Sequence, residues 1–132
     1  MDNNSFQPSD AELEILQVIW DLQPVTVREI FERVGAVKSV GYTTVLKQVQ
    51  RLTEKGVLSR QEALNGTHLY SALIEATQIK KGLASKLLHS AFGGSALQLM
   101  QHALGEGEQV SAEELAALQQ WLHQQSAKNK SV

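Results

Sequence analysis

SVGYTTVLKQVQRLTEKGVLSRQEALNGTHLYSAL, residues 39–73, changes its apolar period partway along, and that change decides the fold. From Ser39 to Lys55 the residues repeat as on a helix. With Val45 set at zero and each residue advanced by about 100°, Gly41, Gln48, Val49 and Leu52 lie within about 60° of it and form the core side. Thr43, Lys47, Gln50, Arg51 and Glu54 take the opposite side, which is polar and mostly basic. Gly56 terminates the helix. Val57-Leu58-Ser59-Arg60 and His68-Leu69-Tyr70-Ser71 then read as two strands joined through Glu62 to Thr67, with Asn65-Gly66 supplying a turn that tolerates positive φ.

Upstream, Ser9-Asp10-Ala11-Glu12 is a capping box, in which the serine oxygen accepts from the Glu12 amide and the glutamate reaches back. Leu13, Leu16 and Trp20 follow on one helical face, widened by Ile15 and Ile19, and this first helix ends near Asp21. Pro24 breaks the chain and Val25 is placed to staple the next helix. Thr26-Val27-Arg28-Glu29 is a second capping box, leading into Ile30, Phe31 and Val34, with Gly35 as a left-handed stop. Three helices and a hairpin over residues 8–73 make a winged helix-turn-helix: helix 3 enters the major groove and the hairpin tip lies near the backbone or the adjacent minor groove. The fold class is mainly α with a small β-hairpin.

Beyond Leu73 no strand signal recurs, which marks a second, helical unit over residues 74–125. Ile79, Leu83, Leu87 and Leu88 form an apolar stripe that Gly93-Gly94 ends. A short helix from Ser95 to Leu104 carries Leu97, Leu99, Met100 and Leu104. Gly105-Glu106-Gly107-Glu108 reads as a turn. Ser111-Ala112-Glu113-Glu114 is a third capping box, opening a helix with Leu115, Leu118, Trp121 and Leu122. Residues 126–132 read as a disordered tail.

The totals narrow the function classes. At 132 residues, 42 % hydrophobic and 20 % charged, the chain suits one domain plus an appendage. It has no run of about 18 apolar residues to insert in a membrane, and its acidic, polar start MDNNSFQPSD is unlike a secretory leader, so a cytoplasmic location is expected. The absence of cysteine excludes disulfides, thiolate metal sites and thiol redox sensing. The net charge of -2 hides an asymmetry: residues 1–37 hold seven acids and two bases, whereas residues 38–60 hold five bases and one acid, a local balance of +4. His68, His89, His102 and His123 show no metal-ligand spacing, and no nucleophile elbow or phosphate loop is present, so neither a metal, a cofactor nor an enzyme is expected.

The candidate contacts cluster on helix 3 and the wing. Thr43 and Thr44 touch base edges or thymine methyls, or else merely cap the helix start. Lys47, Arg51 and Lys55 pair with phosphates, or else keep a helix face soluble. Tyr42, at the face boundary, stacks on a sugar or covers the core edge. His68 donates to phosphate from the wing or is a half-buried strand residue. The rival to a DNA-binding reading is a winged helix that presents its helices to a protein partner.

Ala11-Glu12-Leu13 followed by Ile19-Trp20, then Tyr42-Thr43-Thr44-Val45, Arg51-Leu52-x-x-Lys55-Gly56 and Phe92-Gly93-Gly94, in this order and spacing, resemble the penicillinase repressor family (BlaI/MecI/CopY) over about residues 8–122. The resemblance implies a homodimeric transcriptional repressor that binds a double-stranded palindromic operator, one winged helix per half. It also implies a dimer in which Ile79, Leu83, Leu87 and Leu88 pack with Leu97, Leu99, Met100, Leu115, Leu118 and Leu122 across a two-fold axis; the alternative is that these residues fold back on their own winged helix. Copper-responsive members carry a cysteine-rich motif that this chain lacks. In β-lactam-responsive members a protease acting downstream of a membrane-bound sensor cuts an Asn-Phe bond. That implies a sensor protease as a further partner, but the corresponding stretch here, near Gln101-His102-Ala103, has no such dipeptide.

Overall fold

In the computed structural model, which describes residues 6–105 and 110–130, helix α1 (Asp10–Leu22) starts at its capping box. Glu12 N–H donates to Ser9 Oγ at 3.2 Å and Ser9 N–H to Glu12 Oε1 at 2.9 Å, satisfying two amides that no helical carbonyl reaches. Helix α2 (Val27–Gly35) repeats the device with Thr26 and Glu29, at 3.1 and 3.0 Å. Gly35 is not its left-handed stop: positive φ among the described residues occurs only at Gly56, Gly66, Gly93 and Gly94. The Val34 carbonyl instead accepts from both Val37 and Lys38 N–H at 3.2 Å, so the turn closes with ordinary right-handed residues.

Helix α3 (Tyr42–Glu54) begins three residues later than its periodicity predicts, because Gly41 at φ -87°, ψ 157° is an extended N-cap. Gly41 has no side chain to signal that role, and the start places Thr43 and Thr44 in the first turn. Val45, Val49 and Leu52 are buried, whereas Gln48 is only half-buried and Gly41 is exposed. On α1 the buried face is Ile15, Leu16 and Ile19; Leu13 and Trp20 lie at its margin, Trp20 because its indole N–H donates to the Ile74 carbonyl at 3.0 Å.

Strands β1 (Leu58–Glu62) and β2 (His68–Ala72) pair antiparallel, with Leu58 opposite Ala72 and Glu62 opposite His68. At the tip, Gly66 N–H donates to Ala63 O at 2.9 Å and Ala63 N–H to Thr67 O at 2.7 Å. Of the Asn65-Gly66 pair only the glycine takes a positive φ, 85°, while Asn65 Oδ1 accepts from Thr67 N–H at 3.1 Å. Val25 does not staple α2. It extends the sheet, exchanging backbone hydrogen bonds with Tyr70 at 3.0 and 2.7 Å. Gln23 Oε1 accepts from Ala72 N–H at 2.9 Å beside it, so the base of the wing is tied to the α1–α2 loop.

This core continues past Leu73. Ile74 is buried, Ile79 of helix α4 (Ala76–Phe92) is 4 % exposed, and Leu83 packs partly against the same cluster. The chain therefore divides within α4, between Lys86 and Leu87, rather than after Leu73. Ile79, read from sequence as a dimer residue, belongs to the core of its own chain.

In the carboxy-terminal unit α4 ends at Gly93 and Gly94, where Gly94 N–H donates to Leu88 O at 2.9 Å. Helix α5 (Ala96–Gly105) is capped by Ser95, whose Oγ accepts from Gln98 N–H at 3.1 Å. Helix α6 (Ala112–Lys130) is capped by Ser111, which accepts from Glu114 N–H at 3.1 Å. Most of the turn read at Gly105–Glu108 lies outside the described residues. Ser126 to Lys130, read as disordered, are helical, since no glycine or proline there stops the helix; Ser131 and Val132 lie outside the described residues. Beyond Ile79 no hydrophobic side chain among the described residues is buried, and Leu97 is 68 % exposed.

Candidate nucleic-acid interface

The buried stripe of α3 leaves one face outward, and Thr43, Thr44, Lys47, Gln50, Arg51 and Glu54 are all exposed on it. Lys47 and Arg51 stand one turn apart, and none of the three ion pairs among the described residues uses either. Two cations in line on a rigid helix, next to small hydroxyls at its start, suit an anionic backbone beside an open groove. His68 is exposed at the start of β2, so it is a wing residue and not a half-buried one. Arg60, on the first strand of the hairpin, joins Gln50, Thr53, Glu54 and Tyr70 around a shallow groove of about 530 Å³ between α3 and the hairpin.

Two of the five bases in the basic stretch are engaged elsewhere. Lys38 Nζ pairs with Glu14 at 3.1 Å. Lys55 Nζ pairs with Glu12 at 3.1 Å and stands 5.8 Å from the Phe6 ring centroid, which ties the end of α3 to the start of α1. The structure thus turns Lys55 to an internal partner, away from the role shared with Lys47 and Arg51. Tyr42 also has internal partners: the Phe31 ring meets it edge-on at 5.7 Å, and the Arg28 guanidinium lies over its face at 5.7 Å. Nothing local in the sequence links Arg28 to a ring 14 residues on.

Burial pushes the Glu12 carboxyl up, but hydrogen bonds from Ser9 N–H and Lys55, the Lys55 charge and the Ser9 hydroxyl outweigh it and hold the group below its ordinary value. A carboxyl lowered on folding adds stability above its unfolded value near 4.5 and loses it as pH falls through the folded value. Replacing Glu12 by glutamine is expected to cost up to about 1 kcal/mol at neutral pH, kept small by the exposure of Lys55. The gap closes on acidification below the carboxylate range; urea titrations at the two pH values check this, and a constant gap refutes it.

Among the described residues no group of three His, Asp or Glu side chains gathers as a metal site, and no helix is long and apolar enough to cross a membrane. Residues 8–124 match the penicillinase repressor family. The chain is 27 % identical over 128 residues to the penicillinase repressor of Staphylococcus aureus, spanning 97 % of this chain and 100 % of that protein. It is 26 % identical over 123 residues to the methicillin resistance regulatory protein MecI of the same organism, spanning 93 % and 98 %. With the transcriptional regulator BlaI of Mycobacterium tuberculosis it shares 29 % over 115 residues, 86 % and 80 % of the two chains. Two solved structures share its fold. One is a MarR family protein from Bacillus stearothermophilus, with a TM-score of 0.53 at 14 % identity over 95 % of this chain and 77 % of that one. The other is the PcaV transcriptional regulator from Streptomyces coelicolor, with 0.52 at 18 % identity over 93 % and 77 %. With the winged helix in place and the family matched over nearly its whole length, the chain belongs to the penicillinase repressor family and is a transcriptional repressor.

Proposed function

We propose that the protein is a cytoplasmic homodimer that represses transcription by seating α3 of each copy in the major groove of one half of a palindromic operator, with the wing against the flanking backbone. The observation that carries this reading is the outward face of α3, where Lys47 and Arg51 have no ion pair and Thr43 and Thr44 open the helix, while its other face is locked in the core. A protein-docking helix is expected to present an apolar or aromatic patch there; this face is polar and basic.

The dimer surface in this proposal is the carboxy-terminal unit. Leu87, Leu97, Leu115 and Leu122 are exposed, with Leu88, Met100 and Leu118 half-buried. Three helix segments with no buried hydrophobic side chain of their own need a second copy to cover them. A sensor protease is the least supported partner: Gln101-His102-Ala103 stands within α5, and a helical bond is a poor cleavage site compared with an exposed loop tip.

The test is an anisotropy titration of duplex DNA from the upstream region of the protein's own gene, against random duplex of equal length, across a salt series. Specific binding with two chains per site is expected. Lys47→Ala lowers the slope of log K against log salt by about one for each half-site. Equal, salt-abolished binding to both duplexes rejects the proposal.

A further inference from the structure

We infer that Arg28 is a phosphate contact and that the Tyr42 ring is the platform that holds it there. The inference rests on the DNA-binding reading above and adds a residue from outside helix α3.

Arg28 stands in the first turn of α2 and Tyr42 is the first residue of α3. The guanidinium carbon lies over the ring, 5.7 Å from its centroid, and Phe31 meets the same ring at 79° and 5.7 Å, which fixes the platform against α2. Tyr42 remains 40 % exposed and Arg28 is exposed, so the pair lies at the surface beside Thr43 and Thr44. The carboxylate nearest in sequence is occupied: Glu29 Oε1 accepts from Thr26 N–H at 3.0 Å and from Thr26 Oγ1 at 3.1 Å. No ion pair among the described residues includes Arg28. The cation is held without being neutralised.

That combination fits a contact and fits poorly with a purely structural role. A guanidinium held over a ring by a cation–π contact has no carboxylate on its N–H donors, and its planar fork matches the oxygens of a phosphate bidentately. The cation–π contact also restricts the long side chain before binding, so less rotamer freedom is lost in the complex. The location agrees: the first helix of a helix-turn-helix crosses the DNA backbone while the second lies in the groove. Arg28 is on the first and is tied to the leading residue of the second. Tyr42 then acts as a positioning residue, and a direct sugar contact is not required of it.

The experiment uses the full chain and the same anisotropy titration across salt, with thermal melting of each variant. Arg28→Ala is expected to weaken operator binding roughly tenfold or more per half-site and to lower the salt slope by about one per half-site, with melting little changed. Tyr42→Phe keeps the ring and binds as wild type. Tyr42→Leu weakens binding, and adding it to Arg28→Ala weakens binding no further, since the platform matters only through the arginine. The inference is overturned if Arg28→Ala leaves the slope unchanged, or if Tyr42→Leu costs as much in the Arg28→Ala background as alone. Lys47→Ala separates the two levels. A lowered slope there with none for Arg28→Ala sinks this inference only, whereas no effect from either, with equal binding to random duplex, sinks the DNA-binding reading.

Discussion

Replacing Leu97 by glutamate is expected to convert the protein to a monomer and to lower affinity for a full palindrome by about 10² to 10⁴, while the winged helix stays folded. The magnitude comes from linkage: once one half-site is bound, the second binds at the effective concentration set by the connection, a gain of about 10² to 10⁴ over either alone. Leu97 is 68 % exposed in the chain, so the carboxylate costs the monomer little. In the proposed two-fold interface the same patch is buried on both copies, so each copy's new carboxylate is desolvated there. Size exclusion with light scattering, melting and the operator titration together check this. A variant that remains dimeric with unchanged affinity removes α5 from the interface.

Replacing Leu52 by alanine acts by the opposite route. Its side chain is 0 % exposed, and its carbonyl accepts from Val57 N–H at 3.0 Å where α3 hands over to the hairpin. Truncation there removes packing and leaves a cavity, at an expected cost of about 2–5 kcal/mol. A typical domain has only about 5–15 kcal/mol in total. The urea midpoint should fall with little change in slope, and operator binding should fail in proportion to unfolding with no residue of the outward face altered. Leu64→Ala at the fully exposed hairpin tip is the control, expected within about 0.5 kcal/mol of wild type. Comparable stability for both variants contradicts the core described above.

Local chemistry was legible in the sequence. The Ser9–Glu12 and Thr26–Glu29 boxes, the Val45, Val49 and Leu52 stripe and the positive φ at Gly56 and Gly66 each depend on residues within a few positions. What escaped was set by distance along the chain. The Val25–Tyr70 bridge joins residues from different elements, and the Lys55–Glu12 pair spans 43 positions, so neither leaves a trace in any one helix or strand. Ile79 shows the same limit. Its spacing with Leu83 and Leu87 places all three on one stripe, yet only the fold shows that Ile79 belongs to the core and that Leu87 is exposed. At the candidate interface the outward face of α3 was legible as a period, whereas the engagement of Lys55 and the cation–π contact of Arg28 with Tyr42 required coordinates.

The position of the core along the chain bears on the order of synthesis. Every buried hydrophobic side chain among the described residues lies between Ile15 and Ile79, and the amino-terminal unit ends at Lys86. A ribosome that has released this unit has therefore delivered all the interior it needs, while the remaining residues are still being added. Domains generally fold as units, amino-terminal first, during synthesis. The proposed DNA-facing surface can thus be complete on the nascent chain before the exposed leucines of α5 and α6 emerge next to neighbouring copies made from the same message.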